Sequence, residues 1–138
     1  MALVAVAAAA VLVGMPSLAQ ASTAAQGAAD YAAGKLGCPY SFGAAGPTRF
    51  DNPGLVKAAY GSVGISLPQN VASQYSMTAR LSFSQLTPGD LVFYGSTGPT
   101  SVAIYEGNGR VIDAGHPGTV VAYHPYDQSA IYGYGRVA

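Results

Sequence analysis

Residues 101–115 read SVAIYEGNGRVIDAG, and this stretch decides the fold. Two apolar runs flank the segment EGNGR, where Gly107, Asn108 and Gly109 stand together. Gly and Asn tolerate the backbone angles that a tight reversal demands, so the stretch reads as a β-hairpin. The same short period continues on both sides. DLVFYG at 90–95, TVVAYHP at 119–125 and AIYGYGRVA at 130–138 are apolar runs broken by Gly, Asn and Pro. They are expected to be consecutive antiparallel strands.

Upstream the period lengthens. In STAAQGAADYAAGKLG, Ala25, Ala28, Ala29, Ala32 and Leu36 recur at helical intervals. Thr23 and Gln26 have capping-box spacing and Gly37 offers a stop, so a helix is expected from about Thr23 to Leu36. CPYSFGAAGPTRF is loop. In FDNPGLV, Asn52 is the expected N-cap and Pro53 the first helical residue, because Asn accepts a free backbone N–H and Pro needs none. The run from Pro53 to Tyr60 is nearly all apolar and ends at Gly61, as a short buried helix would. SLPQNVASQY suggests another short helix with Asn70 as its cap. Helices followed by a run of antiparallel strands predict an α+β domain, its N-terminal helices packed on the sheet.

Composition narrows the function. The chain has 138 residues, room for one domain with a real core. Charged residues make up 9%, with six basic and six acidic. Such a chain carries neither the basic footprint of a nucleic-acid binder nor the basic stripe of a lipid-surface helix. Residues 1–21, MALVAVAAAAVLVGMPSLAQA, hold no charge and end in a small-x-small triplet, Ala19-Gln20-Ala21. This reads as a secretory signal peptide, though without the usual positive n-region, and the apolar run is short for a membrane span. A single mature domain over 22–138 is expected, exported or associated with the cell wall and without a membrane span after cleavage. An N-terminal core helix is the alternative. One cysteine, Cys38, allows no internal disulfide.

Four segments, GCPYSFG, FDNPGLV, LTPGDLVFYG and SVAIYEGNGRVIDA, run in order from about Gly37 to Ala114. In them the chain resembles the NlpC-type family of bacterial cell-wall peptidases, a papain-like group. The resemblance implies a papain-like fold and peptidoglycan stem peptides as partner, cut in active members between D-glutamate and a diamino acid. It also implies where chemistry should sit. Family members carry a cysteine at the start of a buried helix, where the helix dipole and a nearby imidazole favour the thiolate. The thiolate attacks the amide and the imidazole protonates the leaving amine.

At the nucleophile position this chain has Asn52, followed by Pro53 in place of a serine. At the imidazole position it has Ser101. A carboxamide nitrogen is delocalised and does not attack, and an unactivated hydroxyl is no base near neutral pH. Asp113 holds the orienting position with no imidazole expected beside it. The resemblance assigns Tyr40 and Asp51 to holding the peptide's amino end, while Val71 replaces a serine common in the family. Asp51 equally reads as support for the helix start, and Tyr40 as packing. Cys38 reads as a structural thiol. His116 and His124 read as turn and strand-surface residues, and Tyr123, Tyr126, Tyr132 and Tyr134 as sheet packing. No cofactor is expected, and no set of residues at metal-ligand spacing is found. The chain is therefore expected to be a non-catalytic stem-peptide binder similar to the inactive Rip-type members. An active peptidoglycan endopeptidase is the alternative. The protein partner, if any, is not readable.

Overall fold

The computed structural model describes residues 16–127 and 130–137, with side chains from Thr23 onward. Three helices precede six strands: α1 (Pro16–Ala33), α2 (Asn52–Gly61), α3 (Val71–Met77), β1 (Ala79–Leu81), β2 (Leu91–Tyr94), β3 (Ser101–Gly107), β4 (Arg110–Ala114), β5 (Val121–Pro125) and β6 (Ile131–Arg136). A 3₁₀ turn, Phe83–Gln85, lies between β1 and β2. The strands form one antiparallel sheet in the order β1-β6-β2-β3-β4-β5. This is the expected α+β architecture. The hairpin is β3–β4, and its turn has positive φ at Gly107, Asn108 and Gly109.

Two expected helix boundaries are corrected. α1 begins at Pro16, so Thr23 lies inside it rather than at its cap, and it ends at Ala33, before Leu36. α2 is capped by Asp51, not Asn52, which becomes the first helical residue. The cause is local: the Asp51 carboxylate accepts the Gly54 N–H, and a carboxylate at a helix start gains from the dipole as well as from the hydrogen bond. Asn70 caps α3 as expected, accepting from Ser73 N at 2.9 Å. The brief β1 was not anticipated.

α2 buries Leu55, Val56, Ala59 and Tyr60 against Phe93, Val102, Ile104 and Ile112 of the sheet. α1 joins through the fully buried Ala28, Ala29 and Ala32, whose small side chains allow close approach. The contact is tight at Gly89, where an added Cβ would meet the Ala25 carbonyl oxygen at 2.3 Å. Tyr60 crosses this layer and donates to the Gly89 carbonyl at 2.5 Å; burial raises its phenol pKa first, Asp90 second. The sheet's other face carries a smaller cluster of Val92, Ala103 and Val111 under Leu86 and several tyrosines. Asp90, 1% exposed, takes a two-pronged grip from Arg136 of β6 at 2.9 and 2.8 Å.

The segment from Gly37 to Tyr40 runs beside Thr119–Val121, at the start of the edge strand β5. Val121 accepts from Gly37 N and donates to the Cys38 carbonyl, and Tyr40 N donates to Thr119. Cys38 itself is half-buried against the core.

Candidate functional site

A cleft of about 400 Å³ opens at the start of α2. Tyr40, Phe42 and Asp51 to Pro53, at the head of α2, line it together with Gln69 to Ala72, at the head of α3, and with Pro99 and Thr100. Three of the residues singled out from the sequence, Tyr40, Asp51 and Asn52, therefore share one wall. Phe42 stands 88% exposed at its rim.

Asp51 organises this wall. Its Oδ1 accepts from Gly54 N at 2.7 Å and from Gln69 Nε2 at 3.3 Å, and its Oδ2 accepts from Gly43 N at 2.8 Å. One buried carboxylate thus fixes the helix start, the preceding loop and the approach to α3. Gly54 explains why the loop comes so close: a Cβ there would lie 1.9 Å from the Ala44 carbonyl oxygen. That carbonyl also accepts from Asp51 N at 2.9 Å.

Asn52 is held differently. Its side-chain nitrogen donates to the Ala114 carbonyl and, at 3.0 Å, to the Gly115 carbonyl, both at the end of β4. Both N–H directions of the carboxamide are thereby used, and Oδ1 takes no hydrogen bond from the described residues. Its amide joins α2 to the strand that carries Asp113.

Ser101 and Asp113 are not among the residues that line the cleft. Ser101 pairs with Tyr94, which belongs to the cluster on the sheet face away from the helices. Directly paired residues share a face, so Ser101 is on that face too. Asp113 follows it there, because Ile112 and Ala114 on either side of it belong to the helix-side core. β3 begins and β4 ends at the same end of the sheet, so both stay close to the α2 start along the backbone.

Asp113 has an imidazole after all. Nε2 of His124 lies 2.9 Å from its Oδ1, reached diagonally from β5, where His124 pairs with Val111. This corrects the expectation that Asp113 orients nothing. Burial raises the Asp113 pKa above the ordinary carboxylate range, and the nearby His124 and His116 pull it back down. Burial, with Asp113 second, pushes the Tyr94 phenol up to about 12. His124 itself is on the surface, as expected, and its side chain is half exposed.

Gln74 was not singled out from the sequence. It is fully buried and donates to the Pro53 carbonyl at 3.0 Å and the Pro68 carbonyl at 2.8 Å, bracing the cleft's two sides. A glutamine four residues after a cap gives no sequence signal for such a brace, because its partners are backbone carbonyls.

Residues 37–134 match the model of the NlpC/P60 family. A probable endopeptidase p60 of Listeria monocytogenes serovar 1/2a is 46% identical over 108 residues, which cover 74% of this chain and 22% of that protein. The peptidoglycan endopeptidase RipA of Mycobacterium tuberculosis is 38% identical over 104 residues, covering 66% of this chain and 22% of RipA. The chain thus spans about a fifth of the length of these two relatives. A solved RipA structure mutated at a cysteine superposes with a TM-score of 0.77 at 32% identity, covering 85% of this chain and 63% of that one. Two further RipA structures are mutated at a histidine and at a glutamate. In RipA the histidine lies forty-nine residues after the cysteine, and the glutamate twelve after the histidine. NlpC1 from Trichomonas vaginalis superposes with a TM-score of 0.77 at 28% identity, covering 81% of this chain and 43% of that one.

Proposed function

This chain belongs to the NlpC/P60 family, and from that premise we propose that it binds peptidoglycan stem peptides at the cell wall without cutting them. The observation that carries the reading is Asn52 at the head of α2, its carboxamide nitrogen tied to two strand-end carbonyls. Ser101 follows Asn52 by forty-nine residues and Asp113 follows Ser101 by twelve, the separations of the three mutated RipA residues. On that correspondence the cysteine has become Asn52, the histidine Ser101 and the glutamate Asp113.

A carboxamide nitrogen whose lone pair is delocalised, and whose protons are already donated, has nothing to offer an acyl carbon. Among the described residues no hydrogen bond joins the Ser101 hydroxyl to a base, and its paired neighbour in β2 is Tyr94, a phenol that burial keeps protonated. Asp113 and His124 form an acid–imidazole pair, but neither lines the cleft. What remains is a shaped recess with Tyr40 and Asp51 in its wall, which supports binding rather than turnover. The peptidoglycan ligand and the wall location are carried over from the family and from RipA, a peptidoglycan endopeptidase. Among the described residues no helix is long and apolar enough to cross a membrane.

Two measurements test the reading together. Purified cell walls mixed with the protein at low salt should carry it into the pellet. Stem peptide incubated with it should be recovered intact by mass spectrometry. Protein left in the supernatant would remove the binding role. Cleavage that disappears in Cys38→Ala would remove the claim of inactivity.

A further inference from the structure

The cleft's charge and hydrogen-bonding character can be read from its wall, and it points to one class of ligand. Among the described residues that line it, Asp51 alone carries a charge, and no Lys, Arg or His joins it. The start of a helix ordinarily offers free N–H groups and a positive dipole to an anion. Here most of that capacity is already taken, the Asn52 N–H being the first-turn donor without a hydrogen-bond partner among the described residues. Pro53 has no N–H, Gly54 N is bonded to the Asp51 carboxylate, and Leu55 N is bonded to the Asp51 carbonyl. The negative charge that a helix start attracts is supplied by the protein itself. The Asn52 side chain adds to the same polarity: its amide donors are aimed at Ala114 and Gly115, so Oδ1 is the side-chain atom left for a ligand.

We propose that this cleft prefers ligand groups that donate N–H and carry no negative charge, so that a stem peptide whose α-carboxylate is converted to a carboxamide binds in preference to the free acid. This rests on the stem-peptide reading above and sharpens it. A carboxamide can donate to Asn52 Oδ1 and suffers no repulsion from Asp51. A carboxylate in the same place has acceptors facing acceptors, no cation to pair with, and must give up its hydration to enter.

The test compares two synthetic tripeptides, L-alanyl-γ-D-glutamyl-diaminopimelate and its α-carboxamide (isoglutaminyl) counterpart. Each is titrated calorimetrically into the full chain at pH 7 and low salt. The carboxamide should bind about tenfold more tightly or better. Ala72→Arg, at an exposed position in the cleft lining, supplies the missing cation and should shrink or reverse that ratio. Equal affinities, or tighter binding of the acid, would overturn the preference and leave the stem-peptide reading standing. An Ala72→Arg protein with an unchanged ratio would overturn the charge explanation. Silence from both peptides would instead remove the binding role on which the preference rests.

Discussion

At the scale of single residues, Asn52 is a strut between α2 and the end of β4, and on the proposed correspondence it stands where RipA has a cysteine. Restoring the lost pair by substitution is therefore expected to fall short. In Asn52→Cys with Ser101→His, Pro53 still denies the site the backbone N–H after position 52, and Val71 still presents an alkyl group to the cleft. Loss of one preorganised donor typically lowers an acyl-transfer rate by about a hundredfold or more. The double variant should stay at least that far below an active relative when stem-peptide cleavage is followed by mass spectrometry. Turnover equal to that of the relative would show that Pro53 and Val71 matter little. The cap of α2 shows how neighbouring residues compete. Asn52-Pro53 looks like a cap and first turn on its own. Asp51 stands one position earlier and wins, because its carboxylate satisfies Gly54, Gly43 and Gln69 together. A pattern of residue types cannot rank two good caps side by side when tertiary contacts decide between them.

At the scale of elements, the β3–β4 hairpin was legible because Gly107, Asn108 and Gly109 announce the reversal themselves. β1 was not: it is three residues long and its partner β6 lies more than fifty residues away. The contact between Asp113 and His124 was hidden for a related reason. It depends on the register of β5 against β4, which no local pattern carries. The layer between β3 and α1 holds a further consequence. Glu106 has a carboxylate oxygen that is buried and without a hydrogen-bond partner among the described residues. Burial first, and the Asp30 carboxylate of α1 second, push its pKa up to about 7, with Arg110 pulling the other way. The folded state thus holds a proton that the unfolded chain, near the ordinary carboxylate value of 4.5, releases earlier. This contribution is fully present below pH 4.5 and is lost as pH rises through about 7. Urea unfolding at pH 5 and pH 8 should show a smaller fall in stability for Glu106→Gln than for the parent chain. Equal falls would mean that Glu106 titrates normally.

At the scale of the whole molecule, the last strand is locked to the second by Arg136 on the buried Asp90. Arg136→Met would leave a carboxylate that is 1% exposed without its cation. Breaking one side of such a pair costs about 3 kcal/mol, more than most surface changes. The loss should appear as a lower urea midpoint, and Asp90→Asn in the same chain should recover part of it. A midpoint unchanged by Arg136→Met would mean that Thr87, whose N–H also reaches Asp90, suffices. The broad plan of helices on an antiparallel sheet was readable from the change of hydrophobic period. Its closure by β6 and Arg136 was not, because the partners sit forty-six residues apart.

The loop from Gly37 to Tyr40 covers the start of β5 at Val121, and Pro125 ends that strand without an N–H. At the opposite border β1 is only three residues long. Among the described residues, one outer border of the sheet is therefore covered at its start and closed by a proline at its end, and the other is brief, which leaves little open edge to recruit a strand from a neighbouring copy. Crowded together, these molecules should stay separate rather than zip into fibrils.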